Sequence, residues 1–163
     1  MTVQGMELTG AVITVSDRVM SGEREDRVGA VARELLSQAG VEVVSSVTVP
    51  EGRDMVAGEL ESAVNRGIRV IVTTGGTGVG PRNRTPEATE PLLETQLSAV
   101  MTQILITGLS TTNQAGLSRG LVGLTTRDSG SSLIVNAPGS PGGVRDALGV
   151  VCPLLAPIFE RLY

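Results

Sequence analysis

Two glycine-rich stretches are the parts of this chain best suited to chemistry: Gly75-Gly76-Thr77-Gly78-Val79-Gly80 and Pro138-Gly139-Ser140-Pro141-Gly142-Gly143. Each follows a short apolar run that reads as a buried strand, and each precedes a helix start. Loops in that position lie at the C-terminal edge of a sheet, where open α/β folds hold their ligands. Glycine admits positive φ and lets amide N–H groups approach an anion with no Cβ in the way. The first stretch is not a P-loop, because it lacks the Gly-Lys-Ser/Thr ending, and Pro81 fills the last position of a G-x-G-x-x-G reading. Glycines in these places also serve tight strand-to-helix turns, so the ligand is an expectation. On that expectation, valine at Gly76 or Gly78 blocks binding by occupying the anion's position and leaves the fold intact.

Other groups would flank such a cleft. Ser16-Asp17-Arg18 ends the first strand, and Pro50-Glu51-Gly52 follows the second, placing a carboxylate at the same edge that could hold a metal or face water. Pro81-Arg82-Asn83-Arg84 supplies two guanidinium groups suited to phosphate or carboxylate. Ser118-Arg119-Gly120 is a weaker candidate by itself. The chain has no histidine, which removes Ser-His-Asp and Cys-His catalysis. Chemistry therefore falls to carboxylates, guanidinium groups, hydroxyls, backbone amides or a metal. The single cysteine, Cys152, lies in an apolar run and reads as packing rather than as a nucleophile.

The elements that must position these groups alternate between strand and helix, the pattern of a parallel sheet with crossover helices. Strands are expected at Ala11 to Val15, Val41 to Val49 and Val70 to Thr74. Val28, Val31, Ala32, Leu35 and Leu36 recur at helical spacing, with Gly40 as the terminal cap, and a second helix runs from about Asp54 to Asn65. Thr85-Pro86-Glu87 reads as a helix start with Thr85 as N-cap, and a further helix covers Val100 to Leu109. Leu121 to Thr126 and Ser132 to Asn136 flank Arg127 to Gly130 as a hairpin. Ser140 and Pro141 suit the cap and first position of a last helix, running from about Val144, which Pro153 and Pro157 must bend or divide.

At 163 residues the chain fits one domain, 1–163. With one Phe, one Tyr and no Trp among 40% hydrophobic residues, the core must be aliphatic, and base stacking on aromatic rings is nearly excluded. The net charge of -4 argues against nucleic acid, which needs a basic stripe. No uninterrupted apolar run spans a bilayer, and Met1 to Gly10 lacks the features of a signal peptide. One unpaired cysteine fits reducing cytoplasm.

Thr14-Val15-Ser16-Asp17-Arg18, Gly75-Gly76-Thr77-Gly78, Pro81-Arg82 with Thr85-Pro86-Glu87-Ala88-Thr89, Leu117-Ser118-Arg119-Gly120 and Asn136-Ala137-Pro138-Gly139-Ser140-Pro141 together resemble the molybdopterin-binding proteins of the MogA/MoaB type. The resemblance covers nearly the whole chain. It implies a three-layer α/β/α fold with a mostly parallel central sheet plus a small hairpin, a homotrimer, and a role in molybdenum cofactor biosynthesis. Active members attach AMP from ATP to the molybdopterin phosphate with Mg²⁺. Carried across, Ser16, Thr74, Gly75, Gly76, Thr77, Gly78, Arg82, Ser118, Arg119, Pro138, Gly139, Ser140 and Pro141 would hold substrate. Asp17, Glu51 and Asn83 would stand at the reacting phosphates, with Glu51 as metal ligand.

The chain departs from the family pattern at the expected metal chemistry. The aspartate usual after Pro-Arg is Asn83, the aspartate usual after the second-strand proline is Glu51, and the Pro-Gly often found near position 98 is Ser98-Ala99. Asparagine keeps one oxygen and removes a charge, which weakens Mg²⁺ stabilisation there. A non-catalytic molybdopterin-binding or carrier protein of the same fold is therefore the alternative. A generic phosphate-binding α/β enzyme is a further rival, although the poverty in aromatic residues disfavours a flavin.

Overall fold

The computed structural model describes residues 5–163; the Met1 to Gly10 reading thus falls partly outside the described residues. Strands β1 (Leu8–Val15), β2 (Val41–Val49), β3 (Val70–Thr74), β4 (Thr95–Gln96), β5 (Val122–Leu124) and β6 (Leu133–Ala137) form one sheet in the order β2-β1-β3-β6-β5-β4. The β1–β2, β1–β3 and β3–β6 pairs are parallel, whereas β5 runs antiparallel to both β6 and β4. The four parallel strands deliver their C-terminal ends to one edge. There lie Ser16, Glu51 and both glycine-rich loops.

Helices cover both faces, as expected for the three-layer α/β/α fold. The strands sort their side chains by period two. Leu8 and Val12 of β1, Val70 and Val72 of β3, and Leu133, Val135 and Ala137 of β6 join one cluster. That cluster takes in Ala32 and Leu36 of α2 (Arg27–Gln38) and Val144, Ala147, Leu148 and Val151 of α6 (Pro141–Val151). Leu155 and Phe159 of α7 (Leu155–Glu160) complete it. Ala11, Ile13, Val15, Ile71 and Ile134 project the other way, onto Val56, Leu60 and Ala63 of α3 (Arg53–Asn65) and Ala88 of α4 (Thr85–Thr89). With both faces covered, the central strands are continuous apolar runs rather than alternating ones.

Several local expectations need correction. β1 begins three residues earlier than expected, and its end passes into a four-residue helix, α1 (Asp17–Met20), capped when Ser16 Oγ accepts from Val19 N. α4 is capped at Arg84, not Thr85; the Thr85 hydroxyl instead donates to Gly75 O at 3.0 Å, a long-range bond that outcompetes the local cap. The hairpin forms, but its strands stop at Leu124 and Leu133, and Thr125 N donates to Ser132 O across a longer loop. Edge strand β4 went unread because two residues carry no periodicity. The polar stretch from Ser110 holds a 3₁₀ helix, Asn113–Leu117, that follows α5 (Ser98–Leu109).

The last helix starts at Pro141, as the Ser140–Pro141 pair requires, and Pro153 divides it through a 3₁₀ turn, Cys152–Leu154. By length and mean hydropathy the stretch Pro141–Glu160 could cross a membrane, a possibility that uninterrupted apolar runs do not reveal. Its apolar side is committed to the sheet through the residues named above. Cys152 packs against the same core, and burial pushes its thiol up to about 11. At pH 7.5 it is therefore expected to resist alkylation by iodoacetamide in the folded protein and to react within minutes in denaturant. Rapid modification of native protein would refute its packing role.

Candidate functional site

The two glycine loops meet. Gly75 N donates to Ala137 O at 3.0 Å, and a Cβ built on Gly139 would stand 3.2 Å from Gly75 Cα. Gly75 and Gly76 hold φ of 93° and 70°, the left-handed conformations the glycines were expected to supply. The N–H groups of Gly76, Thr77 and Gly78 donate to no acceptor among the described residues, so they stay free to face an anion. These residues line a 370 Å³ cavity with Ser16, Asp17, Arg18, Arg24, Glu51 and Gly139.

Beside that cavity four predicted residues form one network. Arg82 grips Asp17 with both arms of its fork, Nε to Oδ2 at 2.9 Å and Nη2 to Oδ1 at 3.0 Å, and Glu51 N donates to Asp17 Oδ1. The direct bonds from Arg82, followed by the Glu51 amide, hold Asp17 below the usual carboxylate range. Asn83 Oδ1 accepts from Gly80 N at 3.0 Å, and its Nδ2 donates to Glu51 Oε1 at 2.7 Å. Because a backbone N–H can only donate, it fixes the amide's orientation and turns the NH₂ towards the carboxylate.

These residues do not fit a bound divalent ion. A Mg²⁺ site wants hard oxygens facing one point. Here Asp17 is occupied by Arg82, and Asn83 presents hydrogens to Glu51. Among the described residues no three His, Cys, Asp or Glu side chains cluster as metal ligands.

Arg119 sits at the site's other flank with its guanidinium fully engaged. It donates to Gly78 O and Asn83 O, each at 2.8 Å, and to both oxygens of Glu87, while Thr77 O accepts from Arg119 N. It is a clamp on the glycine loop. The clamp explains Glu87, which sequence reasoning noted only as part of a helix start. The Arg119 bonds hold Glu87 below its ordinary value. Arg119→Gln is expected to destabilise the protein by about 1 kcal/mol, the low figure reflecting solvent exposure, and to weaken anion binding. Since Asp17 and Glu87 both have lowered values, their stabilisation is complete above the ordinary carboxylate pKa and is lost as pH falls through the depressed folded values. Melting curves from pH 7 to 2 should therefore show the variant's deficit shrinking below about pH 4; a deficit constant with pH would remove the clamp's electrostatic basis.

Two larger cavities adjoin the loops. One, of 630 Å³, lies between α2 and α6, lined by Thr14, Ser16, Arg24, Thr74, Ser140 and Pro141 among others. Thr74 is 1% exposed, and its hydroxyl has no hydrogen-bond partner among the described residues. The other, of 690 Å³, runs along α5 and the start of α6 and includes Ser118, Arg119, Asn136, Pro138 and Ser140. Ser140 borders both and caps α6, accepting from Gly143 N at 3.1 Å. Sequence reasoning missed Arg24 and quoted Asn136 within the family motif without giving it a role. Buried Asn136 donates to Thr73 and Thr89 hydroxyls and accepts from Leu121 N, tying β6 to β3 and α4. No sequence signal marks Arg24 as part of a site.

The fold and its loop cluster define a ligand-binding α/β domain whose site lies at the C-terminal edge of the parallel strands. A family model described as "Probable molybdopterin binding domain" matches residues 11–157, and the chain belongs to that family. A molybdopterin adenylyltransferase from Helicobacter pylori is 33% identical over 147 residues, covering 88% of this chain and 81% of the relative. Molybdenum cofactor biosynthesis protein B of Staphylococcus carnosus is 33% identical, with 85% and 80% covered. A putative molybdenum cofactor biosynthesis protein from Corynebacterium diphtheriae superposes with a TM-score of 0.89 at 43% identity, covering 96% of this chain and 99% of that one. Against longer relatives the match is partial. The chain spans 24% of the Drosophila melanogaster protein cinnamon and 47% of a bifunctional molybdenum cofactor protein of Chlorobaculum tepidum.

Proposed function

We propose that this chain, acting as a single domain, binds molybdopterin at the joined glycine loops and adenylylates its phosphate with ATP, in the cytoplasm. The carrying observation is the contact between the loops, which sets the free Gly76, Thr77 and Gly78 amides beside the Asp17–Arg82 and Glu51–Asn83 pairs. In the reaction a phosphate oxygen of molybdopterin attacks the α-phosphorus of ATP, a P–O–P bond forms, and pyrophosphate leaves. Such a transfer is governed by positioning and charge neutralisation and needs no histidine. The loop amides orient the acceptor phosphate. The Asp17–Arg82 pair keeps the guanidinium fixed against a carboxylate that lines the cavity, and the Arg119 clamp holds the loop.

A second reading, molybdopterin binding without transfer, is favoured by one observation: Asn83 donates to Glu51 where two carboxylates would face a metal. Titration with molybdopterin followed by Mg-ATP separates the two, product appearing only under the first. Absence of molybdopterin binding would overturn both.

Self-association belongs to the same proposal. α5 leaves Leu105, Ile106 and Leu109 exposed, with Leu117 nearby in sequence. An apolar face of that kind marks a protein interface, and a homotrimer built on it is expected to scatter light at about three chain masses. A single chain mass in dilute buffer would remove it.

A further inference from the structure

We infer that Arg24 is a phosphate-binding residue that spans two of the cavities described above and brings to a nucleotide's polyphosphate the positive charge that this chain's carboxylates are not arranged to gather as a metal. The inference rests on the nucleotide half of the proposed function.

Four residues line both the 630 Å³ and the 370 Å³ cavities: Val15, Ser16, Arg24 and Gly139. Arg24 alone among them is charged. Of the neighbouring guanidinium groups, Arg82 is committed to Asp17 and Arg119 to Glu87 and two carbonyls, while Arg18 lines only the smaller cavity and Arg27 only the larger. Arg24 has neither an ion-pair partner nor a side-chain hydrogen bond among the described residues, although its backbone N–H donates to Arg18 O. A planar fork held free at the mouth of two cavities suits bidentate contact with phosphate oxygens.

Polar groups around it agree on where the phosphates lie. The buried Thr74 hydroxyl lacks a partner among the described residues and borders the larger cavity, a cost that a ligand oxygen removes. Ser140 begins the eleven-residue α6 at the same wall, and its N-terminus favours negative charge. Across Gly139 stand the free loop amides. Acidic groups stand beside Arg24 as well: Glu23 and Glu25, its neighbours in sequence, and Asp26, tied to Thr14 and Gly29, line the larger cavity only. Asp17 and Glu51 line the smaller cavity, the first neutralised by Arg82 and the second hydrogen-bonded to Asn83. The chemistry described is that of a nucleoside polyphosphate, its phosphates at the Arg24–Gly139 boundary.

The test is binding of inorganic pyrophosphate and of a non-hydrolysable ATP analogue by isothermal calorimetry, in EDTA and in Mg²⁺, to wild type, Arg24→Gln, Arg24→Lys and the remote control Arg161→Gln. Arg24→Gln is expected to weaken both ligands at least tenfold in EDTA, Arg24→Lys to recover part of the loss, and Arg161→Gln to match wild type. Adenosine binding should not change. Equal affinities for wild type and Arg24→Gln would overturn the inference. So would wild-type affinity that vanishes in EDTA, because a metal would then carry the charge. Molybdopterin titration in parallel keeps the readings apart: its failure beside a preserved Arg24 effect would sink only the proposed substrate. Arg24 is an exposed loop residue, and unchanged melting of its variants confirms that affinity alone has moved.

Discussion

Replacing Asn83 with aspartate is expected to raise the rate of adenylyl transfer about tenfold, equivalent to about 1.4 kcal/mol of transition-state stabilisation, and to make it steeply dependent on Mg²⁺. The new carboxylate can still accept from Gly80 N, so the loop keeps its shape. Towards Glu51 the change is larger. An N–H donor 2.7 Å from Oε1 becomes an oxygen, and two carboxylates that close repel each other unless a cation joins them. Without metal, the variant should be less stable by about 1 kcal/mol at pH 8, with the deficit shrinking as pH falls and one carboxyl protonates. Added Mg²⁺ should restore stability by mass action, a shift absent in wild type. Asn83→Asp with Glu51→Gln separates the pair from the single charge and should lose most of the gain. If wild type already turns over rapidly, and Asn83→Asp alters neither rate nor Mg²⁺ dependence at saturating molybdopterin, residue 83 does not limit this chemistry.

Gly76→Val should be the most damaging single change in the loop, and its effect falls on folding as well as on binding. The expectation that valine there leaves the fold intact is overturned by the packing. A Cβ on Gly76 would overlap Thr85 Oγ1 and stand 3.2 Å from Val15 Cγ1, on a backbone held at φ 70°. Clash and positive φ together should cost about 3 kcal/mol, lowering the melting temperature by about 6–12 °C. Gly78 behaves differently because its φ is not in the left-handed region; its Cβ would meet only Asn83, with Oδ1 at 2.7 Å. Gly78→Ala should therefore melt within a few degrees of wild type yet bind molybdopterin about tenfold more weakly, equivalent to about 1.4 kcal/mol. Calorimetry beside thermal melts checks both. Normal affinity in a folded Gly78→Ala would show that the loop does not contact the ligand.

What the sequence by itself determined is what short-range physics controls. β-branched runs at 41–49 and 70–74 became strands at the expected residues, and the Ser140–Pro141 cap and first turn opened α6 where their backbone preferences require. Both glycine stretches reached the same sheet edge because they follow parallel strands. The order of chemistry along the chain was thus legible, together with Asn83 and Glu51 as departures from the family pattern.

Only tertiary structure decided what those residues do to one another. Thr85 left its local cap for Gly75 O, Arg82 closed on Asp17, and Arg119 turned its fork onto the loop and Glu87. Residues 17 and 82, or 87 and 119, are far apart in sequence, and no spacing rule encodes which charges pair when several meet at one edge. Among the described residues that competition also left Arg24 unpaired and the Thr74 hydroxyl buried without a partner, the two features that carry the inference of a polyphosphate site. The physical reason is the same throughout: strands and caps answer to a residue's neighbours along the chain, whereas ion pairs and cavities answer to neighbours that only the packed sheet brings together.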